Sequence, residues 1–131
     1  LALRVTFKHD LSVAELIAHV RERALAAYAH QDLPFEQVVE ALQPERNLSY
    51  SPVFQVMLAL NNTPAQTLTL PGLQLKPFEQ SQHKTHFDLT LSLAETETGL
   101  AGALAYAADL FDTTTIERMV GYLTNILTAM T

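Results

Sequence analysis

The stretch His30-Gln31-Asp32-Leu33-Pro34-Phe35-Glu36, followed by Arg46-Asn47-Leu48-Ser49-Tyr50-Ser51-Pro52-Val53-Phe54-Gln55, decides how this chain is read. Helical periodicity runs up to the first stretch, and strand periodicity begins at the end of the second. Pro34 has no amide proton to donate, which costs nothing at a first helical position, so a short helix is predicted over residues 34–42. Its buried stripe is Phe35, Val38, Val39 and Leu42. Asp32 stands at its start, where a carboxylate complements the free amides and the positive end of the helix dipole.

Working upstream, Val13, Leu16, Ile17, Val20, Ala24, Ala27 and Tyr28 fall at spacings of three and four, with Glu15, His19, Arg21, Glu22 and Arg23 largely on the other side. Ser12 and Glu15 stand in capping-box spacing, so this helix starts at Ser12 and ends near Ala29 or His30. Before it, Leu1, Leu3, Val5 and Phe7 alternate with Arg4, Thr6 and Lys8, the period of a half-buried strand. Such a start is not a signal peptide. That the chain opens within this strand carries the expectation of a fragment of something longer.

Working downstream, residues 53–60 read as a strand with Phe54, Val56, Leu58 and Leu60 on one face and Met57 and Ala59 on the other. Apolar residues on both faces place it inside a sheet, covered on both sides. Residues 61–67 are turn-rich, Pro71-Gly72 marks a break, and residues 73–78 form a weak strand that Pro77 assigns to an edge. Phe87, Leu89, Leu91 and Leu93 then alternate with polar residues. Leu100, Leu104 and Tyr106 follow beyond Glu95-Thr96-Glu97-Thr98-Gly99, which predicts a β-hairpin with a five-residue turn. The small residues Ala101, Gly102, Ala103 and Ala105 leave room for a close neighbour. Asp112 or Thr114 caps a last helix with Ile116, Met119, Val120, Leu123, Ile126, Leu127 and Met130 on one stripe, expected to cover a face of the sheet.

Over its 131 residues the chain is 48% hydrophobic and only 17% charged, with a formal net charge of −6. A chain of this length buries roughly two-thirds of its unfolded surface, enough for one core. A composition this apolar favours a covering partner segment. The acidic balance, without a run of lysine or arginine, argues against nucleic acid and anionic membranes as partners. No apolar run approaches the ~18 residues of a membrane span. With no cysteine, disulfide frameworks, thiol catalysis and cysteine-ligated zinc are excluded, and a reducing compartment is permitted.

Catalytic chemistry is sparse. His9, His19, His30, His83 and His86 are scattered over loops, a helix face and a strand start, without the spacing of a metal site. Ser49 and Ser51 lie in no nucleophile elbow, and the four glycines form no phosphate-binding loop. Asp109 and Asp112 fit helix capping, and Glu95 and Glu97 fit a solvated hairpin tip. No self-sufficient catalytic constellation emerges.

The two opening stretches do carry a resemblance. His30 to Glu36 resembles the H-Q-D-x-P-F-E signature of the condensation domains of non-ribosomal peptide synthetases, and Arg46 to Phe54 resembles their R-D-x-S-R-x-P-L-F signature. Leu1-Ala2-Leu3-Arg4 is similar to the end of a preceding signature. The Phe87-Asp88-Leu89 strand and the helix start at Leu110-Phe111-Asp112 fit the family's closing region. Asn47 stands where aspartate is usual, Tyr50 where arginine is common and Val53 where leucine is, so a charge pairing through the usual aspartate is not available here. The family's HHxxxDG motif, whose second histidine is thought to assist amide formation, does not occur in this chain.

The resemblance implies an α+β fold: a partial C-terminal lobe of a chloramphenicol-acetyltransferase-like fold, in the order β-α-α-β-β-β-β-α, with a mixed sheet covered by helices. Residues 1–131 would be the C-terminal part of a condensation domain, with the N-terminal lobe absent. The parent would form an amide between a carrier-bound acyl or peptidyl donor and a carrier-bound aminoacyl acceptor in secondary metabolism, with this portion supplying scaffold, tunnel wall and interlobe closure. The alternative is a non-catalytic condensation-like module for carrier docking or structure. Arg4, His30, Gln31, Asp32, Pro34, Phe35, Glu36, Arg46, Ser49, Pro52 and Phe54 are then scaffold residues, none catalytic and none a metal ligand. Gln31 and Asp32 are expected to cap and tie the helix junction, and Arg46 and Ser49 to bond loop carbonyls. No cofactor is expected on this chain, since phosphopantetheine is carried by partner carrier domains. The implied partners are the N-terminal lobe, the peptidyl carrier domains and the adenylation domain of a cytoplasmic synthetase. Asn61 to Pro71 is the candidate for the family's crossing latch.

Overall fold

Ser12 and Glu15 begin the first helix as their spacing predicts. In the computed structural model, which describes residues 1–6, 10–45, 47, 49–62, 85–96 and 99–131, the Ser12 amide donates to Glu15 Oε2 at 2.8 Å and the Ser12 hydroxyl donates to the same oxygen at 2.6 Å. The Glu15 amide donates back to Ser12 Oγ at 3.3 Å. Helix α1 then runs over Val13–Tyr28. Removing this box with Ser12→Ala is expected to cost about 1 kcal/mol of stability, measured by denaturant unfolding.

The same bonds make the box sensitive to acid. The bond from the Ser12 hydroxyl, then that from the Ser12 amide, hold the Glu15 carboxyl below the ordinary glutamate value. Because the folded state has the lower pKa, the stabilisation is complete above the ordinary range and is lost as pH falls through the depressed value. Thermal unfolding followed from about pH 6 down to pH 3 should show this loss. Glu15→Gln should flatten that part of the profile, and an unchanged profile would count against the box.

Two compact units divide the chain, one of Leu1–Phe54 with Leu123–Thr131 and one of Gln55–Tyr122. In the first, α1 is followed by helix α2 at Phe35–Leu42. The half-buried positions of α1 are Leu16, His19, Ala24 and Ala27, a narrower stripe than its apolar residues alone describe. Between the helices the backbone ties itself: the His30 amide donates to the Ala27 carbonyl at 3.0 Å, the Gln31 amide to Tyr28 and the Leu33 amide to His30, both at 3.2 Å. α2 ends where Gln43 adopts the left-handed conformation (φ 43°, ψ 50°) and donates its amide to the Val39 carbonyl at 3.0 Å. Pro44 prevents continuation.

Residues 1–6 do not form the expected opening strand and pair with no strand among the described residues. Alternation records which side chains share a face, whereas a strand also needs a neighbouring backbone to satisfy its amides.

The second unit holds a three-stranded sheet in the order β1-β2-β3, with β1 at Val56–Asn61, β2 at Leu89–Thr96 and β3 at Gly99–Tyr106. β1 runs parallel to β2, from Val56 opposite Leu89 to Asn61 opposite Ala94. β2 and β3 are antiparallel, so the sheet is mixed and the fold is α+β. Their register extends to Thr96 opposite Gly99, leaving only residues 97 and 98 between paired strands in place of the expected five-residue turn. The Thr96 hydroxyl donates to the Gly99 carbonyl at 2.9 Å, and Gly99 takes φ 138°, a conformation side chains disfavour.

Among the described strands β1 also does not take the interior place that its apolar residues suggest. It stands at one edge of the described sheet, with Val56 61%, Leu58 64% and Leu60 57% exposed. An apolar run on both faces shows that a strand needs cover, not that this chain supplies it. The predicted weak strand at 73–78 and most of the latch candidate lie outside the described residues.

β3 leads directly into helix α3 at Thr113–Ala129. The Asp112 carbonyl accepts from the Ile116 amide at 3.2 Å, and the Tyr106 and Thr113 hydroxyls share a 2.9 Å hydrogen bond that ties the strand's end to the helix's start. Ile116, 6% exposed, is the one buried apolar residue among those described. No helix among the described residues is long and apolar enough to cross a membrane.

Candidate functional site

The two stretches quoted at the outset meet in the first unit. The Phe35 ring, on the first turn of α2, stands edge-on to the Phe54 ring, with centroids 5.4 Å apart and planes inclined by 62°. That arrangement sets the positive edge of one ring toward the negative face of the other. Both rings are half-buried. Beside them α2 and the loop after it enclose a recess of about 810 Å³.

One wall is helical. Glu36, Val39, Glu40 and Gln43 lie three and four residues apart, which brings them to one face of α2. The loop supplies the remainder: Pro44, Glu45, Asn47, Tyr50 and Pro52. Three carboxylates and two side-chain amides make the recess rich in hydrogen-bond acceptors, while Val39 and the prolines give it an apolar floor. Asn47 also shapes the loop, its Oδ1 accepting from the Ser49 amide at 2.8 Å. This is an Asx turn, which an aspartate oxygen makes equally well, so asparagine here keeps the turn and drops only the charge.

The predicted site residues separate accordingly. Phe35 and Phe54 meet, and Glu36 and Pro52 share the recess. Pro34 is the N-cap of α2, one position before that expected, and no side chain caps the helix by a hydrogen bond. Asp32 therefore stands two residues ahead of the cap, too early for its carboxylate to reach the free amides. The helix junction is closed by backbone bonds and not by the side chains of Gln31 and Asp32. Ser49 takes part through its amide. Arg4 is exposed on the leading segment and His30 on the turn, and neither lines the recess. Arg46 lies outside the described residues.

Sequence reasoning does not single out Glu40, Gln43 or Glu45, and it marks Tyr50 only as a departure from the family's arginine. The available signal is the second face of α2, where two glutamates four residues apart precede a polar loop containing an aromatic residue. His19, placed by periodicity on the outer face of α1, is half-buried, with a buried Nε2 that has no hydrogen-bond partner among the described residues. Among the described residues, no three His, Cys, Asp or Glu side chains gather to hold a metal ion. Among those residues the recess lining also includes no histidine, serine or threonine, so it presents no nucleophile and base in the usual pairing.

Comparison with known proteins agrees with the juxtaposed stretches. A linear gramicidin synthase from Brevibacillus parabrevis is 51% identical over 132 residues, covering 99% of this chain and 2% of that protein. Malpinin synthetase of Mortierella alpina is 51% identical over 131 residues, covering 100% of this chain and 2% of that protein. The chain thus spans about 2% of the length of these curated relatives. Among solved structures, a chain of the complex of the X-domain and OxyB from teicoplanin biosynthesis superposes with a TM-score of 0.72 at 33% identity, over 88% of this chain and 26% of that one. The family model described as the condensation domain matches residues 1–131. With its two signature stretches packed ring on ring and the match running from end to end, the chain belongs to the condensation-domain family.

Proposed function

We propose that these residues are the scaffold portion of a condensing domain in a peptide synthetase. In the parent reaction the amine of a carrier-bound aminoacyl acceptor attacks the thioester carbonyl of a carrier-bound acyl or peptidyl donor. The N–C amide bond forms, the C–S bond breaks, the phosphopantetheine thiol leaves and the amine gives up a proton. The present residues furnish tunnel wall and interlobe closure, and the base acts from the N-terminal lobe. The observation that carries this reading is the Phe35–Phe54 contact: the signature residues that meet do so by packing, with no reacting pair between them. The exposed apolar residues of β1 support a covering surface supplied by the other lobe. Carrier and adenylation domains are the further partners, in a cytoplasmic assembly.

A second reading, docking without chemistry, draws on the solved neighbour, whose structure is a complex with a second protein. An amide-formation assay with loaded carriers separates the two. Under the first reading the complete condensation domain makes product and residues 1–131 alone make none. Phe54→Ala should lower turnover in step with stability, with recovery on cooling. Product from residues 1–131 alone, or lost turnover at an unchanged Tm, would remove the scaffold reading. A complete domain that binds carriers and forms no amide selects docking.

A further inference from the structure

Two non-glycine residues in the left-handed region bracket the loop that builds the recess, Gln43 at φ 43° and Val53 at φ 74°. The first closes a helix, a position where this conformation is common. The second has no such reason. Valine branches at Cβ, and for a branched residue this region is a genuine outlier. The Phe54 amide donates to the Pro52 carbonyl at 2.9 Å, so residues 52–54 form a γ-turn with its central residue at positive φ, the strained form of that turn.

What lies on either side of the turn gives the strain a use. Pro52, with Tyr50, lines the recess, and Phe54 sets its ring on Phe35. In an extended segment, side chains two apart point to the same side. The turn at Val53 breaks that rule and sends residues 52 and 54 to different tasks.

We infer that Val53 is a positioning residue, held in a strained turn so that the recess wall and the ring contact keep their places together. Relaxation of Val53 to negative φ removes this form of the turn, re-aims Phe54 relative to Pro52 and uncouples the two. The inference rests on the condensation reading for its activity arm only.

The test compares the full-length protein carrying these residues with Val53→Gly and Val53→Pro. Glycine accepts φ 74° without strain, whereas proline fixes φ near about −65° and excludes the positive-φ turn. Hydrogen exchange at the Phe54 amide reads the turn, and amide formation from loaded carriers reads its use. The glycine variant should keep the amide protected, retain turnover and melt no lower than the parent. The proline variant should exchange there about tenfold faster or more. Its kcat should fall about tenfold with far-UV circular dichroism unchanged. Wild-type exchange in the proline variant overturns the inference, as does a lost turn with unchanged kcat. Should proline prevent folding, the glycine variant decides, since a lower melting temperature there contradicts stored strain. If the parent forms no amide, the condensation reading fails, and exchange at Phe54 still decides whether Val53 holds the turn.

Discussion

Phe54→Ala is expected to lower the unfolding free energy by about 2 kcal/mol. A fully buried phenylalanine truncated to alanine costs about 3–5 kcal/mol, and the half-buried setting of this ring reduces that figure. Phe35→Ala should cost a similar amount, because each ring covers the other at 5.4 Å. The double variant identifies the source of the loss. A coupling energy of about 1 kcal/mol between the two substitutions marks the edge-to-face contact itself. Additive losses would mean that each ring packs on other residues and that the two signature stretches are not joined here. Denaturant unfolding of the single and double variants measures the cycle.

Gly102→Val carries the other large effect, a loss of about 3 kcal/mol. Gly102 lies opposite Leu93 in the β2–β3 ladder. A Cβ added there would stand 2.6 Å from Leu93 Cδ2 and 3.0 Å from the Ser92 carbonyl oxygen. The leucine tip can swing away, but the carbonyl belongs to the ladder and cannot. Gly102→Ala should therefore be milder, and Leu93→Ala should relieve part of its cost in the double variant. If Gly102→Val unfolds at the parent's denaturant midpoint, the close approach of the strands is not real. The run of small residues on β3 thus accommodates the neighbouring strand's own leucine.

Much of this is legible in the chain because local chemistry decides it. Ser12 and Glu15 are three residues apart, and nothing distant is needed for their mutual bonds. The β2–β3 hairpin and α3 follow likewise from alternation and from one long apolar stripe. The errors arise where a second element has to be known. Leu1 to Phe7 alternate well, yet residues 1–6 have no strand beside them among the described residues. The apolar run of β1 reads as an interior strand, but its cover does not come from the described strands. A capping role for Asp32 depends on whether the helix is counted from Pro34 or Phe35, and one residue removes its reach. The site is legible as two signatures and not as a place. That Phe35 would meet Phe54, and that the outer face of α2 would close a recess with Tyr50 and Pro52, depends on the path of the loop, which Gln43 and Val53 set through left-handed conformations that no periodicity reports.

The parallel pairing of β1 with β2 has a consequence for reach. Both strands point the same way, so the chain leaving Asn61 must return to the starting end of the sheet before Leu89 can enter. That return is about 20 Å, the length of a six-residue strand. Residues 62–88 have a contour length of about 90 Å when drawn out. The return along the sheet needs about a quarter of that length.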